Sequence, residues 1–276
     1  MRILSLLLGI GLVIMSGIAL AGPEEDREAF VSYFEKRFPN TDLTEFANGA
    51  YALDEDARQQ WQEIEEFAPY EFALDEGREL FEIPFGNGKR YADCFANGGI
   101  GISQDYPVFD TNSGEVVTLE LAINRCRTAN GEDPLPWMEG PIAAISGYMA
   151  STSRGKALNI KIPDDPRALA AYEDGKRYYY SRRGQLNFSC SGCHVQNAGM
   201  VIRADRLSPA LGQTTHWPAH RGAWEGLGTL HRRYQECNKQ VREIPLAAQS
   251  QTYRNLEYFM RFMDNGFPAN GPAYRK

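Results

Sequence analysis

Cys190-Ser191-Gly192-Cys193-His194 is the stretch of this chain whose residue types and spacing point most directly to chemistry. Two thiols spaced this way can add to the two vinyl groups of a haem, and the histidine that follows is placed to bind the iron. Rival readings are a disulfide between Cys190 and Cys193, or half of a zinc site completed by His216 and His220. Haem c is the preferred reading. The iron then needs a second axial ligand from further along the chain. Candidates are Met200, Met260, Met263, His216, His220, His231 and Cys237. Met200 is six residues past His194, too near to wrap over the opposite face of the ring. Met260 and Met263 share an apolar helical pattern with Leu256, Tyr258 and Phe259, which suits core packing. His216 and His220 sit in a loop with Trp217, Pro218 and Gly222, where contacts to the haem edge or propionates are open to them. Cys237, 43 residues beyond His194, is favoured. Arg233 precedes it by four residues and shares its face if the run is helical. A guanidinium there favours the thiolate and can hold an oxyanion in a forked pair of hydrogen bonds. The bland alternative is a surface arginine.

These residues need elements to position them, and an internal repeat supplies the plan. Asp75-Glu76-Gly77-Arg78-Glu79-Leu80-Phe81 precedes Cys94 much as Glu173-Asp174-Gly175-Lys176-Arg177-Tyr178-Tyr179 precedes Cys190. Downstream, Thr118 to Cys126 matches Thr229 to Cys237, a helix-like run closing on a cysteine. Where a second attachment motif would stand, the chain reads Cys94-Phe95-Ala96-Asn97-Gly98, with neither a second thiol nor a histidine. No haem is expected there, and Cys94 and Cys126 are expected to form a disulfide, free thiols being the alternative. Helical spacing marks Asp54 to Phe67, Pro166 to Arg182, Gly228 to Val241 and Tyr253 to Asp264. Asp165-Pro166 reads as a helix start and Asn265-Gly266 as a stop. The expected fold is mainly α, two cytochrome c-like domains in tandem, the first without haem. Residues 22–150 and 151–276 would form them, with a linker near Met149 to Pro163.

Residues 1–21 have the shape of a secretory signal: Met1-Arg2, an apolar run from Ile3 to Ile18, then Ala19-Leu20-Ala21. The competing reading is a retained anchor; with cleavage, no membrane span remains and the periplasm is the expected location. Hydrophobic content of 43% supports a packed core. A net charge of −7 argues against nucleic acid as a partner. Between Arg203 and Arg242 seven bases face three acids, a local basic region suited to a small anion or an acidic surface, or simply to solvated helix faces.

The attachment motif, followed by Arg221-Gly222-Ala223-Trp224, Gly228 to Arg233 and Cys237, resembles the SoxA family, the haem subunits of the SoxAX cytochromes of bacterial thiosulfate oxidation. The resemblance spans nearly all of the chain after residue 21. It implies a SoxX-like small cytochrome c as partner subunit. The implied reaction joins thiosulfate oxidatively to a cysteine of a SoxYZ-like carrier protein, an L-cysteine S-thiosulfotransferase activity, with electrons leaving to an acceptor cytochrome. It also implies that Cys237 is the haem ligand and carries a persulfide, and that Arg233 binds the anionic substrate. Asn97 and Gly98 depart from members with two haems, which implies a one-haem type. An electron-transfer or sensor cytochrome without bond-making activity is the alternative.

Overall fold

Helices carry most of the described chain, which comprises residues 22–276 of a computed structural model. The expected signal peptide lies outside the described residues. The first helix, α1 (Pro23–Arg37), opens on a proline and three acids and closes on Lys36 and Arg37, complementing its dipole at both ends. Then follow α2 (Glu55–Glu65), α3 (Glu71–Glu82), a hairpin of β1 (Val108–Asp110) and β2 (Glu115–Val117), α4 (Leu119–Ala129) and α5 (Pro141–Ser151). The second part holds α6 (Pro166–Tyr180), a minimal hairpin of β3 (Val201–Ile202) and β4 (Asp205–Arg206), β5 (Ala219–Arg221) and β6 (Gly226–Gly228). It ends with α7 (Leu230–Gln240), α8 (Gln251–Met263) and β7 (Ala273–Arg275). Asp165 caps α6 by accepting from the Arg167 amide at 2.8 Å, and Thr118 caps α4 by accepting from Leu121 at 3.1 Å. The helices expected from spacing fall on α2, α6, α7 and α8.

The two glycines of the repeated motif do the same job. A Cβ on Gly77 of α3 would stand 2.1 Å from the Ala144 carbonyl oxygen of α5, and one on Gly175 of α6 would stand 2.0 Å from that of Asn255 in α8. Only glycine lets either helix pair cross this closely. One core gathers Phe81, Tyr91, Ile123, Cys126, Ile142, Ile145 and Met149 from α3, α4, α5 and the loops between. The larger core is built on Tyr172, Tyr179, Tyr253, Leu256 and Phe259 of α6 and α8. It also takes in Phe30 and Phe34 of α1, Phe46, and Phe109 and Val116 of the first hairpin. Packing therefore crosses the boundary expected at residue 150. The stretch read as a linker is likewise pinned: Leu158 N donates to Phe267 O and Ala269 N to Lys156 O, both at 2.8 Å.

Cys94 and Cys126 are joined by a disulfide, Cα to Cα 5.8 Å. Beside it Asn97 (φ 51°) and Gly98 (φ 61°) are left-handed, and the Asn97 side chain donates to the Ile100 carbonyl. Strands β6, β5 and β7 form a small sheet, β5 pairing antiparallel with β6 and parallel with β7. Among the described residues, no helix is long and apolar enough to cross a membrane.

Candidate functional site

The attachment motif lies in a short wide turn, Gly192–Gln196, entered through Ser191 and steadied by Ser189, whose Oγ accepts from the Gly192 amide at 2.9 Å. Cys190 and Cys193 are unbridged and half-buried, so the alternative of a disulfide between them is not the state seen. The Nδ1 of His194 lies 2.9 Å from the Ser208 carbonyl oxygen. A carbonyl only accepts, so Nδ1 carries the proton and Nε2 keeps its lone pair, the tautomer of an iron ligand steadied from behind. Burial draws His194 down to about 4, so the ring is neutral at neutral pH. Burial pushes the Cys190 thiol up to about 11, against the pull of Arg183, whose Nη1 lies 3.6 Å from the sulfur. Arg183 is itself held by Glu243 at 3.4 Å and by the Tyr178 ring, 3.6 Å below its guanidinium. These donors fit a haem c: two unpaired thiols and an imidazole with its iron-binding nitrogen free.

Thr229 is the N-cap of α7, which carries His231 and Arg233 on its first turn and Cys237 one turn after Arg233. Cys237 is near enough to both attachment thiols for its charge to raise them further, after burial has done most. Arg233 is raised, chiefly by the Cys237 sulfur. The structure thus brings Cys190, Cys193, His194, Arg233 and Cys237 into one neighbourhood. Of the other ligand candidates, His216 is buried with its Nδ1 unpartnered, and the rest are engaged or elsewhere. Met260 accepts from the Tyr234 hydroxyl at 3.2 Å and Met263 from Tyr172 at 3.7 Å, both in the core. His231 is buried, its Nδ1 accepting from the Gln249 amide at 3.0 Å and its Nε2 facing Glu257 at 3.2 Å. His220 stacks on Tyr274, and Met200 is largely exposed.

Arg233 has a partner that the motif does not name. Glu236 pairs with it at 2.7 Å and takes a hydrogen bond from the Trp224 indole with its other oxygen. Arg232, the neighbour of Arg233, is paired with Glu139 at 2.7 Å and lies 4.4 Å over the Trp224 ring. The i, i+3 spacing of Arg233 and Glu236 on a helix could have flagged the first pair. Trp224 stood in the motif that carries the resemblance, without this contact, and nothing local announces Glu139. A surface groove of about 590 Å³, lined by Arg27, Asp105, Lys156 and Lys161, holds none of these residues.

A protein of Allochromatium vinosum named L-cysteine S-thiosulfotransferase subunit SoxA is 52% identical over 260 residues, 94% of this chain and 92% of its own length. The chain belongs to the SoxA family. A SoxA of Chlorobaculum tepidum is also 52% identical, over 92% of this chain and 88% of its own. The profile of the SoxA/TsdA cytochrome c domain matches residues 76–158, which include the disulfide and not the attachment motif. The crystal structure of SoxXA from P. pantotrophus superposes with a TM-score of 0.72 at 28% identity, covering 79% of this chain and 84% of that one. A SoxA cytochrome c fold rich in helix is therefore the architecture, and haem c the cofactor class.

Proposed function

We propose that this chain is the haem c subunit of a periplasmic L-cysteine S-thiosulfotransferase. It conjugates thiosulfate oxidatively to a cysteine of a carrier protein. One S–S bond forms between the outer sulfur of thiosulfate and the carrier thiol, releasing two electrons and one proton. A small cytochrome of the SoxX kind completes the enzyme, in keeping with the SoxXA assembly of the structural relative. Haem c, when bound, supplies a one-electron acceptor beside the reacting sulfur.

The observation that carries this reading is Cys237, which sits with both attachment thiols on one side and Arg233 one helical turn away. In the roles proposed, Cys190 and Cys193 attach one haem covalently and His194, fixed by Ser208, binds iron through Nε2. Cys237 would also hold the iron and is the sulfur-handling residue, and Arg233 orients the substrate anion. Arg233 keeps positive charge beside the sulfur, so an incoming dianion meets a cation rather than a bare thiolate. One cytochrome c-like unit is formed around α3, α4 and α5, without haem and closed by the Cys94–Cys126 disulfide, and the other around α6, α7 and α8. Their equivalent glycine crossings and the domain match over residues 76–158 support this tandem plan. The reading places the unit boundary near residue 150, with α1 and the first hairpin reaching across it.

The test is Cys237→Met in the complex with its partner cytochrome. The variant should keep its covalent haem, change the haem spectrum, and lose thiosulfate conjugation. Full activity would overturn the role of Cys237; intact electron transfer together with no conjugation by the wild type would favour a plain redox carrier.

A further inference from the structure

Pairing of β5 with β7 sets Arg221 directly beside Arg275, two positions after Ala219 and Ala273, while His220 and Tyr274 stack at 5.9 Å in the register position between. Alternation along the strands sends both arginines to one face of the sheet. Arg275 is 7% exposed and lies 5.3 Å over each of two stacked rings, Tyr51 and Trp61. Arg221 lies 5.5 Å over Trp224. Among the described residues neither guanidinium is paired with a carboxylate, unlike Arg183, Arg232 and Arg233 nearby. The Nε of each is buried without a hydrogen-bond partner, and so is Nδ1 of His216, which feels the charge of both arginines. Burial lowers Arg275 to about 10 against the pull of Tyr51 and Glu65, and lowers Arg221, which Arg233 also repels while Glu236 and Cys237 pull the other way. A buried cation beside a half-buried one, with no carboxylate in direct contact with either guanidinium, is a costly arrangement unless an anion joins them.

The place of the pair says which anion. Arg221 interacts with Arg233 and Cys237 on one side. On the other, the Nε of Arg275 and the Cβ of Ser208 flank Gly49, each within about 4 Å of where a Cβ would stand, and the Ser208 carbonyl holds His194. The cations therefore run from the His194 side of the site to the Cys237 side. A haem attached at Cys190 and Cys193 brings two carboxylates of its own. We propose that Arg221 and Arg275, with Nδ1 of His216, are the clamp that receives the two haem propionates. The proposal rests on the haem c reading above. Thiosulfate is the other anion with this chemistry, but Arg275 is sealed beneath Tyr51 and Trp61, and two guanidinium groups match two carboxylates.

The test uses Arg221→Gln and Arg275→Lys in the full haem-loaded complex. Resonance Raman spectra should show the propionate bending band shifted in both. In Arg221→Gln the loss of a nearby cation should favour ferric iron, raising the ferric-to-ferrous ratio about tenfold at fixed ambient potential, a drop of about 59 mV. Arg275→Lys keeps the charge and should move the band with little change in potential. Unchanged propionate bands in both variants overturn the clamp, as does a raised KM for thiosulfate in Arg221→Gln with band and potential intact, which would assign the site to substrate. Wild-type protein without covalent haem in the pyridine haemochrome assay would instead refute the haem c reading itself.

Discussion

Removing the Cys94–Cys126 bridge gives the sharpest measure of how the first half is held together. The bond closes a loop of 32 residues' separation. In the chain-entropy model a loop of that length contributes about 4 kcal/mol through the unfolded state. Cys126 is buried against Ile123 and Tyr91, so its replacement by alanine also costs a little packing, whereas Cys94 is exposed and costs none. Asn130 reinforces the bridge: its amide donates to the Cys126 carbonyl at 2.8 Å and lies 3.5 Å from the Cys94 sulfur. The variant is Cys94→Ala with Cys126→Ala, compared with wild type by native-state hydrogen exchange. Amides of α4 and of the turns around Tyr91 should open with about 4 kcal/mol less free energy. The haem spectrum should not move, since Cys190 packs against the other core and none of Cys190, Cys193, His194 and Cys237 belongs to the core around Cys126. Mass spectrometry of the unreduced wild type should find the two cysteine peptides linked. A loss below about 1 kcal/mol with the link present would refute the entropic account. A spectrum that shifts with the bridge would refute the independence of the two cores.

Three further perturbations test other parts of the site and frame. Glu236→Gln should lower the KM for thiosulfate two- to fivefold, because it frees Arg233 from a part-buried ion pair worth up to about 1 kcal/mol; an unchanged or higher KM would mean that Arg233 does not meet the anion. Gly175→Ala should destabilise the protein by about 1–3 kcal/mol in thermal melts through overpacking against the Asn255 carbonyl. Helix propensity alone predicts a gain of about 1 kcal/mol, so a gain would show that the crossing is looser than described. Glu120 is pushed up to about 7 by burial and then by Glu257, so its ionisation opposes folding. Stability should fall as pH rises from about 4.5 to 7, by up to about 3 kcal/mol, and denaturant midpoints of Glu120→Gln should lose that slope.

The chemistry was legible where it is local. The attachment motif, the Asp165-Pro166 start, the Asn265-Gly266 stop and the four-residue spacing of Arg233 and Cys237 are short-range patterns, and each occurs in the structure as spacing predicts. The repeated glycine was legible as a repeat, though not as a helix crossing, because its meaning lies in a carbonyl some 67 to 80 residues further on. What stayed hidden depends on distant segments. Strands β5, β6 and β7 are three residues each, too short for alternation to register, and β7 arrives from the end of the chain to set Arg275 beside Arg221. Phe30 and Phe34 look like the apolar side of an ordinary helix, and nothing in α1 tells that they fill the core of α6 and α8.

The comparison of the two halves explains why the first does not hold a haem on the reading proposed here. In the tandem plan proposed, Cys94 and Cys126 correspond in the repeat to Cys190 and Cys237. There, both cysteines are unbridged, and His194 keeps a free nitrogen that can take iron. In the first half the same two positions are covalently closed, with their Cα atoms 5.8 Å apart, which leaves no room for a macrocycle between them. The loss also reaches the backbone. Gly192–Gln196 coils in one helical sense, carrying Cys193 and His194 on the same turn, whereas Asn97 and Gly98 adopt left-handed angles that L residues with larger side chains resist. In the tandem plan proposed, the haem site of the second half would thus be a matter of side chains on a competent turn, and its absence from the first would follow from both the side chains and the turn.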